Sequence, residues 1–349
     1  MNRKCLSRLL LIHCLAFNLQ GQHRSNLVIS EQIPIDVPGE AAYISPVKSS
    51  PDGQILVQFD VSAITVISEN GKTSAAFSLG QVPELGEADL VDFAGASRNA
   101  VYLLAEKGDQ KDSSASSVYV VRFDKDGNHS LTKLDNPITT YFRPRQLAVF
   151  GTGDFFVSGF REDIGKPASY IFKDNGQLVK ELEFKKDLSI QKLESERKRS
   201  KQQEGANEKP VRETFREQVD LSWAQSAEDG TVYLTRTIPS GPVFIISPGG
   251  IVQTVTLTPP EKEVRLVALK LDAGLIAAEY HATKRAKGEP TKCYVSLTEV
   301  ESGRVRETAE YGFNAQTTAL GPVFYKDDIL TYLGVRPDNR MVFVKAKLE

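Results

Sequence analysis

Few groups in this sequence are equipped for catalysis. Four histidines occur in 349 residues. His13 falls in an apolar leader, His23 stands just after it, and His129 sits in a turn beside Asn128, which leaves His281 in "EYHATKR". One histidine cannot build a multi-histidine metal centre. It can act as a general base, as can a nearby tyrosine. No GxSxG nucleophile elbow is present. Carboxylates at Asp60, Glu106, Asp220 and Glu279 are candidates for a calcium site. Arginines at equivalent positions elsewhere oppose a cation, so no metal and no cofactor is expected. "KDG", "DNG" and "EDG" lack the spaced carboxylates and distant Glu of a calcium loop and read as turns.

Arginine is the more promising group. Arg161, Arg236 and Arg336 end strand-like stretches, with Asp60, Glu106 and His281 at the matching places of other stretches. Arg143 and Arg145 lie in "YFRPRQ", and Lys284 and Arg285 follow His281. Each guanidinium offers a planar fork for carboxylate or phosphate. Arg143, Arg145, Arg161, Arg236, His281 and Arg336 therefore form the candidate ligand-binding set, suited to an anionic ligand. The competing reading pairs these cations with Asp60, Glu106, Glu162, Asp163 and Glu279 and gives them a role in solubility alone.

Strands must position these residues. The stretches "ITVISENGKTSAAFSL", "YVVRFDKDGNHSLTKL", "YIFKDNGQLVKELEF", "VFIISPGGIVQTVTL" and "CYVSLTEVESGRVRETAEY" each read as strand, tight turn, strand. Their glycines, at 71, 127, 176, 250 and 303, supply the positive φ angles of two-residue hairpin turns. The spacing, near 50 residues, is that of propeller blades. Upstream of each lies a second strand pair, such as "AYISPVKSSPDGQILVQFD" and "LSWAQSAEDGTVYLTR", denser in apolar residues. Two hairpins per period make a four-stranded antiparallel sheet. The denser pair is expected innermost, and the alternating pair outside. Trp223 and Cys293 fall in such stretches and read as core residues.

One interval is long, because "KKDLSIQKLESERKRSKQQEGANEKPVRETFREQ" intervenes. It is too polar to offset its ordering entropy, so a charged, partly disordered insertion is expected at about 185–217. The sixth blade runs out of chain at Glu349 one strand short. "NLVISEQIPID", from Asn26 to Asp36, belongs to no blade, and placed beside the last strand it completes the sheet and covers its open edge. The expected fold is all-β: a six-bladed β-propeller of four-stranded antiparallel blades, a single domain over 26–349 closed by a 3+1 exchange.

The chain resembles the six-bladed propellers of the NHL-repeat and TolB-like group, in which turns of the "SPDGQILV" and "DKDGN" kind recur in each blade. The resemblance covers 26–349 and rests on turn signals, so it implies a fold more than an activity. Blade two departs from it with "GASRNA" in place of an Asp-Gly turn. Within that group the resemblance leaves two functions open. One is a non-enzymatic binding protein or scaffold that meets a protein, a peptide or an anionic small molecule at its longer, more varied loops. The other is a calcium-assisted hydrolase or lyase of the gluconolactonase type.

The first 22 residues place Arg3, Lys4 and Arg8 before an apolar run from Leu9 to Leu19, the order of a signal peptide. That run is too short to span a bilayer. Export to a bacterial periplasm or the extracellular space is the expectation, not residence as an integral membrane protein. Cleavage leaves 40 basic groups against 45 acidic ones, a net charge of −5, which gives no general attraction to nucleic acid. Only Cys293 survives it, so no internal disulfide can form. The 40% apolar composition is enough to bury a large core.

Overall fold

The structure is a computed structural model that describes residues 24–36, 47–60, 63–96, 100–108, 116–135, 141–184, 223–235, 242–272, 274–284, 292–312, 318–326, 329–336, 338 and 340–348. The expected leader at 1–22 and the charged insertion at 185–217 lie outside them.

Strand β1 (Arg24–Pro34) precedes the first blade. Blade one is β2 (Val47–Ser49), β3 (Ile55–Asp60), β4 (Ala63–Ile67) and β5 (Thr73–Ser78), and blade two is β6 (Asp89–Ala96), β7 (Ala100–Gly108), β8 (Ser116–Phe123) and β9 (His129–Lys133). Blade three is β10 (Phe142–Val149), β11 (Phe155–Arg161), β12 (Lys166–Phe172) and β13 (Leu178–Glu181). Blade four is β14 (Trp223–Ser226), β15 (Val232–Thr235), β16 (Val243–Ile246) and β17 (Val252–Val255). Blade five follows as β18 (Val264–Asp272), β19 (Leu275–Ala282), β20 (Lys292–Glu299) and β21 (Val305–Gly312). Blade six takes β22 (Thr318–Lys326), β23 (Ile329–Val335) and β24 (Met341–Leu348) from the C-terminal end, and β1 is its fourth strand. The six four-stranded blades closed by a 3+1 exchange match the sequence expectation. Among the described residues no helix is long and apolar enough to cross a membrane.

The closure extends further than expected. β1 pairs antiparallel with β24 from Leu27 to Pro34, while its first residues, Arg24 to Asn26, pair parallel with Thr308 to Glu310 of β21. Blades five and six thus share one eight-stranded sheet. Beyond β1, the Asp36 N–H donates to the Gly71 carbonyl at 2.9 Å, and the Thr73 hydroxyl donates to the Asp36 carbonyl at 2.7 Å. The terminal segment therefore ties blades five, six and one together. Gly71 is needed where it meets blade one: its φ is +80°, and a Cβ there would stand 2.3 Å from the Pro34 carbonyl oxygen.

The turns are built differently from the two-residue form expected. In "DKDGN" the Gly127 N–H donates to the Asp124 carbonyl and the Asp124 N–H to the Asn128 carbonyl, so three residues intervene and Gly127 takes the left-handed position. Asp124 Oδ1 also accepts from the N–H groups of Asp126 and Asn128 at 2.9 Å. The Asn128 side chain, and after it these backbone bonds, hold the Asp124 carboxyl below its ordinary value.

Burial follows strand position, with one correction. The outermost strands β9 and β13 are half-buried to exposed, as their alternation requires. The third strands were expected outside with them, yet β16 is buried throughout and β20 nearly so. The third strands are more buried than the fourth, although β8 still exposes Arg122. Trp223 is half-buried against the core between blades four and five, and Cys293 is fully buried.

The innermost strands carry a belt of buried polar groups. Lys48 Nζ on β2 donates to Asp92 Oδ2 on β6 at 2.5 Å and to the Leu147 carbonyl on β10 at 3.1 Å, while the Leu147 N–H donates to the same carboxylate oxygen at 2.6 Å. Three blades meet at this knot. Burial pushes Asp92 up and Lys48 down, and their mutual attraction opposes both shifts. Farther round, Lys270 on β18 is buried beside Asp272, and the Ser226 hydroxyl on β14 accepts from the Val149 N–H at 3.0 Å.

Candidate functional site

Two ends of the ring must be distinguished. One carries the short turns within strand pairs, and the other carries the longer loops, where the sequence put its ligand-binding set.

At the loop-rich end, blade three gathers three of the expected arginines. Arg143 enters on β10 and donates to Glu106 Oε1 of blade two at 2.6 Å, with the Ser116 hydroxyl bonded to both. Arg161 ends β11 and holds Asp163 from Nε at 3.0 Å and from Nη2 at 2.5 Å. That fork pulls the Asp163 carboxyl below its ordinary value. Arg145 donates to the carbonyl of Pro144 at 3.0 Å, where a bulge in the β10–β11 ladder re-aims it. The others stand on different blades. Arg336, after β23, donates to Gln32 of β1 at 3.2 Å, His281 ends β19, and Arg236 lies outside the described residues. Glu106 and Asp163 are thus the partners that the competing sequence reading named.

The sequence reading missed two neighbours of this arginine group. Tyr141 is 50% exposed and Ile164 is 47% exposed, in the segments that enter and leave the first two strands of blade three. The Tyr141 carbonyl accepts from the Glu162 N–H at 2.8 Å, which draws the two segments together. Both residues lie in loops, where no periodicity marks an apolar residue as exposed.

His281 has a defined setting. Its Nε2 stands 2.8 Å from Oε1 of Glu279, which is 1% exposed. Cys293 is its cross-strand neighbour on β20, and Tyr332 of blade six faces the same carboxylate. Burial first and the Glu279 charge second push the Cys293 thiol up to about 12, which removes it as a nucleophile near neutrality. A buried carboxylate orienting an imidazole can place a base, the role given to His281 above. Of the calcium candidates, Glu106 and Glu279 are engaged with Arg143 and His281 on separate blades, while the Asp60 side chain and Asp220 lie outside the description. Among the described residues no group of three or more His, Cys, Asp or Glu stands ready to hold a metal ion.

The turn end offers a cleft of 680 Å³ that sequence reasoning did not find. It is lined mainly by blades two and three, with Pro51 of blade one and Ala227 and Gly230 of blade four at its border. Turn glycines Gly151, Gly153 and Gly230 line it, together with Tyr102, Arg122, Ser130, Thr132, Thr152 and Asp174. The glycines have steric causes. Gly153 has φ +91°, and a Cβ on Gly151 would meet the Gly230 Cα at 2.9 Å, where the turns of blades three and four touch.

The fold and these two ends define a six-bladed β-propeller with a loop-rich face and a grooved turn face. No protein-family model and no curated protein matches the chain. Solved structures do. A DUF4221-family member from Bacteroides vulgatus is 9% identical with a TM-score of 0.51, the match covering 94% of this chain and 99% of that one. Its likeness is one of fold. A putative oxidoreductase (glucose dehydrogenase) from Thermus thermophilus is 16% identical with a TM-score of 0.41, over 92% of this chain and 100% of that one. The Dos1 propeller is 11% identical with a TM-score of 0.41, over 87% and 68%.

Proposed function

We propose that this chain is an exported binding protein or interaction scaffold, within the NHL-repeat and TolB-like range of propellers, that meets its partner at the blade-three end of the loop-rich face. The observation that carries this reading is the exposed pair Tyr141 and Ile164 flanked by arginines already held in shape by Glu106 and Asp163. Tyrosine and arginine dominate binding energy at protein surfaces, and preorganised side chains lose less entropy on contact. A protein or peptide with an acidic and an apolar side chain in reach of one another suits this patch, and a small anion suits its arginines. A photo-crosslinking residue at Ile164 in the native host tests it, against a control at Ile251, which is 75% exposed on the turn face. A discrete adduct from position 164, lost with Tyr141→Ala and absent from 251, is the expected result. Equal labelling from both positions removes the proposal. Export is tested on the same protein: its mature N-terminus should fall near residue 23, in a fraction outside the cytoplasm.

The hydrolase or lyase reading keeps one support, the 2.8 Å contact that orients His281. It predicts a melting temperature that falls on chelation of calcium. An unchanged melting temperature with no calcium in the purified protein counts against it.

A further inference from the structure

We infer that the turn-face cleft between blades two and three is a second binding site, for a small hydroxylated carboxylate. This inference is independent of the loop-face reading. The cleft lies at the opposite end of the ring, and its wall is set by strand register. Tyr102 of β7 and Arg122 of β8 are cross-strand partners, and Ser130 of β9 pairs with Arg122 in turn, so the three side chains share the face of blade two that looks at blade three. The guanidinium stands beside the buried Tyr102 hydroxyl. Burial pushes that phenol up, so it stays protonated and able to donate.

Arg122 is set up unlike the arginines that hold a carboxylate. Arg143, Arg161 and Arg304 each have a carboxylate within 4.0 Å. Among the described residues none stands that close to Arg122, although it borders a cleft roomy enough for a ligand. A guanidinium fork with a phenol hydroxyl beside it matches the two oxygens of one carboxylate.

The rest of the cleft calls for a different chemistry. On the blade-three side the cleft is lined by Asp174 of the β12–β13 turn, whose backbone carbonyl accepts from the Thr132 hydroxyl at 3.2 Å. Its side chain accepts hydrogen bonds, as do the hydroxyls of Ser130, Thr132 and Thr152, which can also donate. Glycine backbone also lines the cleft, and a Cβ at Gly153 would meet nothing within 4 Å. A ligand that is anionic at one end and hydroxyl-rich along its length satisfies both walls. A purely apolar ligand would leave these groups desolvated without partners.

The test uses the purified mature chain, titrated calorimetrically with D-glucuronate and with D-glucose, the same ring without the carboxylate. Saturable binding of glucuronate is expected, with glucose weaker by about tenfold or more. Arg122→Ala should cost about tenfold and Tyr102→Phe a smaller factor, with the fold unchanged, since one removes an exposed side chain and the other a single hydroxyl. Arg304→Ala, in a turn of blade five, should bind as the parent does. Equal affinity for the two sugars, undiminished binding by Arg122→Ala, or no saturation by roughly 10 mM overturns the inference. The crosslinking at Ile164 is unaffected by any of these outcomes, so the two proposals fail separately.

Discussion

Blades two and three, and blades five and six, meet in different ways. The first pair is joined by a dense aromatic core of Tyr102, Phe142, Phe155, Tyr170 and Phe172, with Phe142 and Tyr170 packed edge to face. A charged knot closes it on the axis side. The second pair, where described, is joined by a smaller aliphatic cluster of Ala277, Val295, Leu297 and Leu330, with Tyr332 of blade six facing the buried Glu279. Its compensation is covalently remote: β1 runs along both outer edges. One interface is held by what its own blades contribute, the other by a strand borrowed from the far end of the chain. A dense core can leave a shaped cleft at its rim, because its walls do not shift.

This contrast can be broken experimentally. The largest effect should come from deleting residues 24–36, which removes Leu27, Ile33 and Ile35 from the clusters they pack against and opens the edge of β24. A loss of about 5 kcal/mol or more is expected in denaturant unfolding. Hydrogen exchange should rise across β20 to β24 while β6 to β12 keep their protection. A uniform rise would show that the two regions are not distinct. Next is the knot. Lys48→Met leaves a buried carboxylate without its cation and should cost about 3–5 kcal/mol, most of which the double variant Lys48→Met/Asp92→Leu should restore.

A matched pair of core truncations sharpens the comparison. Phe155→Ala should cost about 3–5 kcal/mol, against about 2 kcal/mol for Leu330→Ala. Equal losses would mean that the two interfaces are equally well packed. The smallest effect is a rate. With its thiol pushed up to about 12, Cys293 carries little thiolate at pH 8, and the reactive form gains only as pH climbs toward that value. Disulfide-reagent labelling of the native protein should run about a hundredfold or more slower than after unfolding. Labelling at the unfolded rate would show that the blade-five and blade-six interface opens readily.

The ring and its closure were legible because each turn glycine has a steric reason to exist and because strands can be counted. The last blade came up one strand short, and "NLVISEQIPID" was the one extended segment left over. The eight-stranded continuation through β21 was not legible, since nothing in Arg24–Asn26 distinguishes one parallel neighbour from another. On the loop-rich face, Arg143 and Arg161 pair with Glu106 and Asp163, acids the sequence placed near them. The bulge that turns Arg145 toward its own backbone depends on ladder register. The buried knot did leave a trace, the lone charge of Asp92 inside the apolar stretch "LVDFA", which only a partner from elsewhere in the chain could neutralise. Tyr102, Arg122 and Asp174 left none, because their cleft exists only once two sheets are set side by side.

The terminal segment also sets an order of assembly. Ser30 bonds to the carbonyl of Lys345 at 3.1 Å, across 315 positions of sequence. A chain that emerges N-terminus first must keep this segment unengaged until nearly every later residue has been made, with its strand edge available to other molecules meanwhile. Completion of the ring is then a single late event, and an early release of the nascent chain would leave a five-and-a-fraction ring that sticks to its own kind.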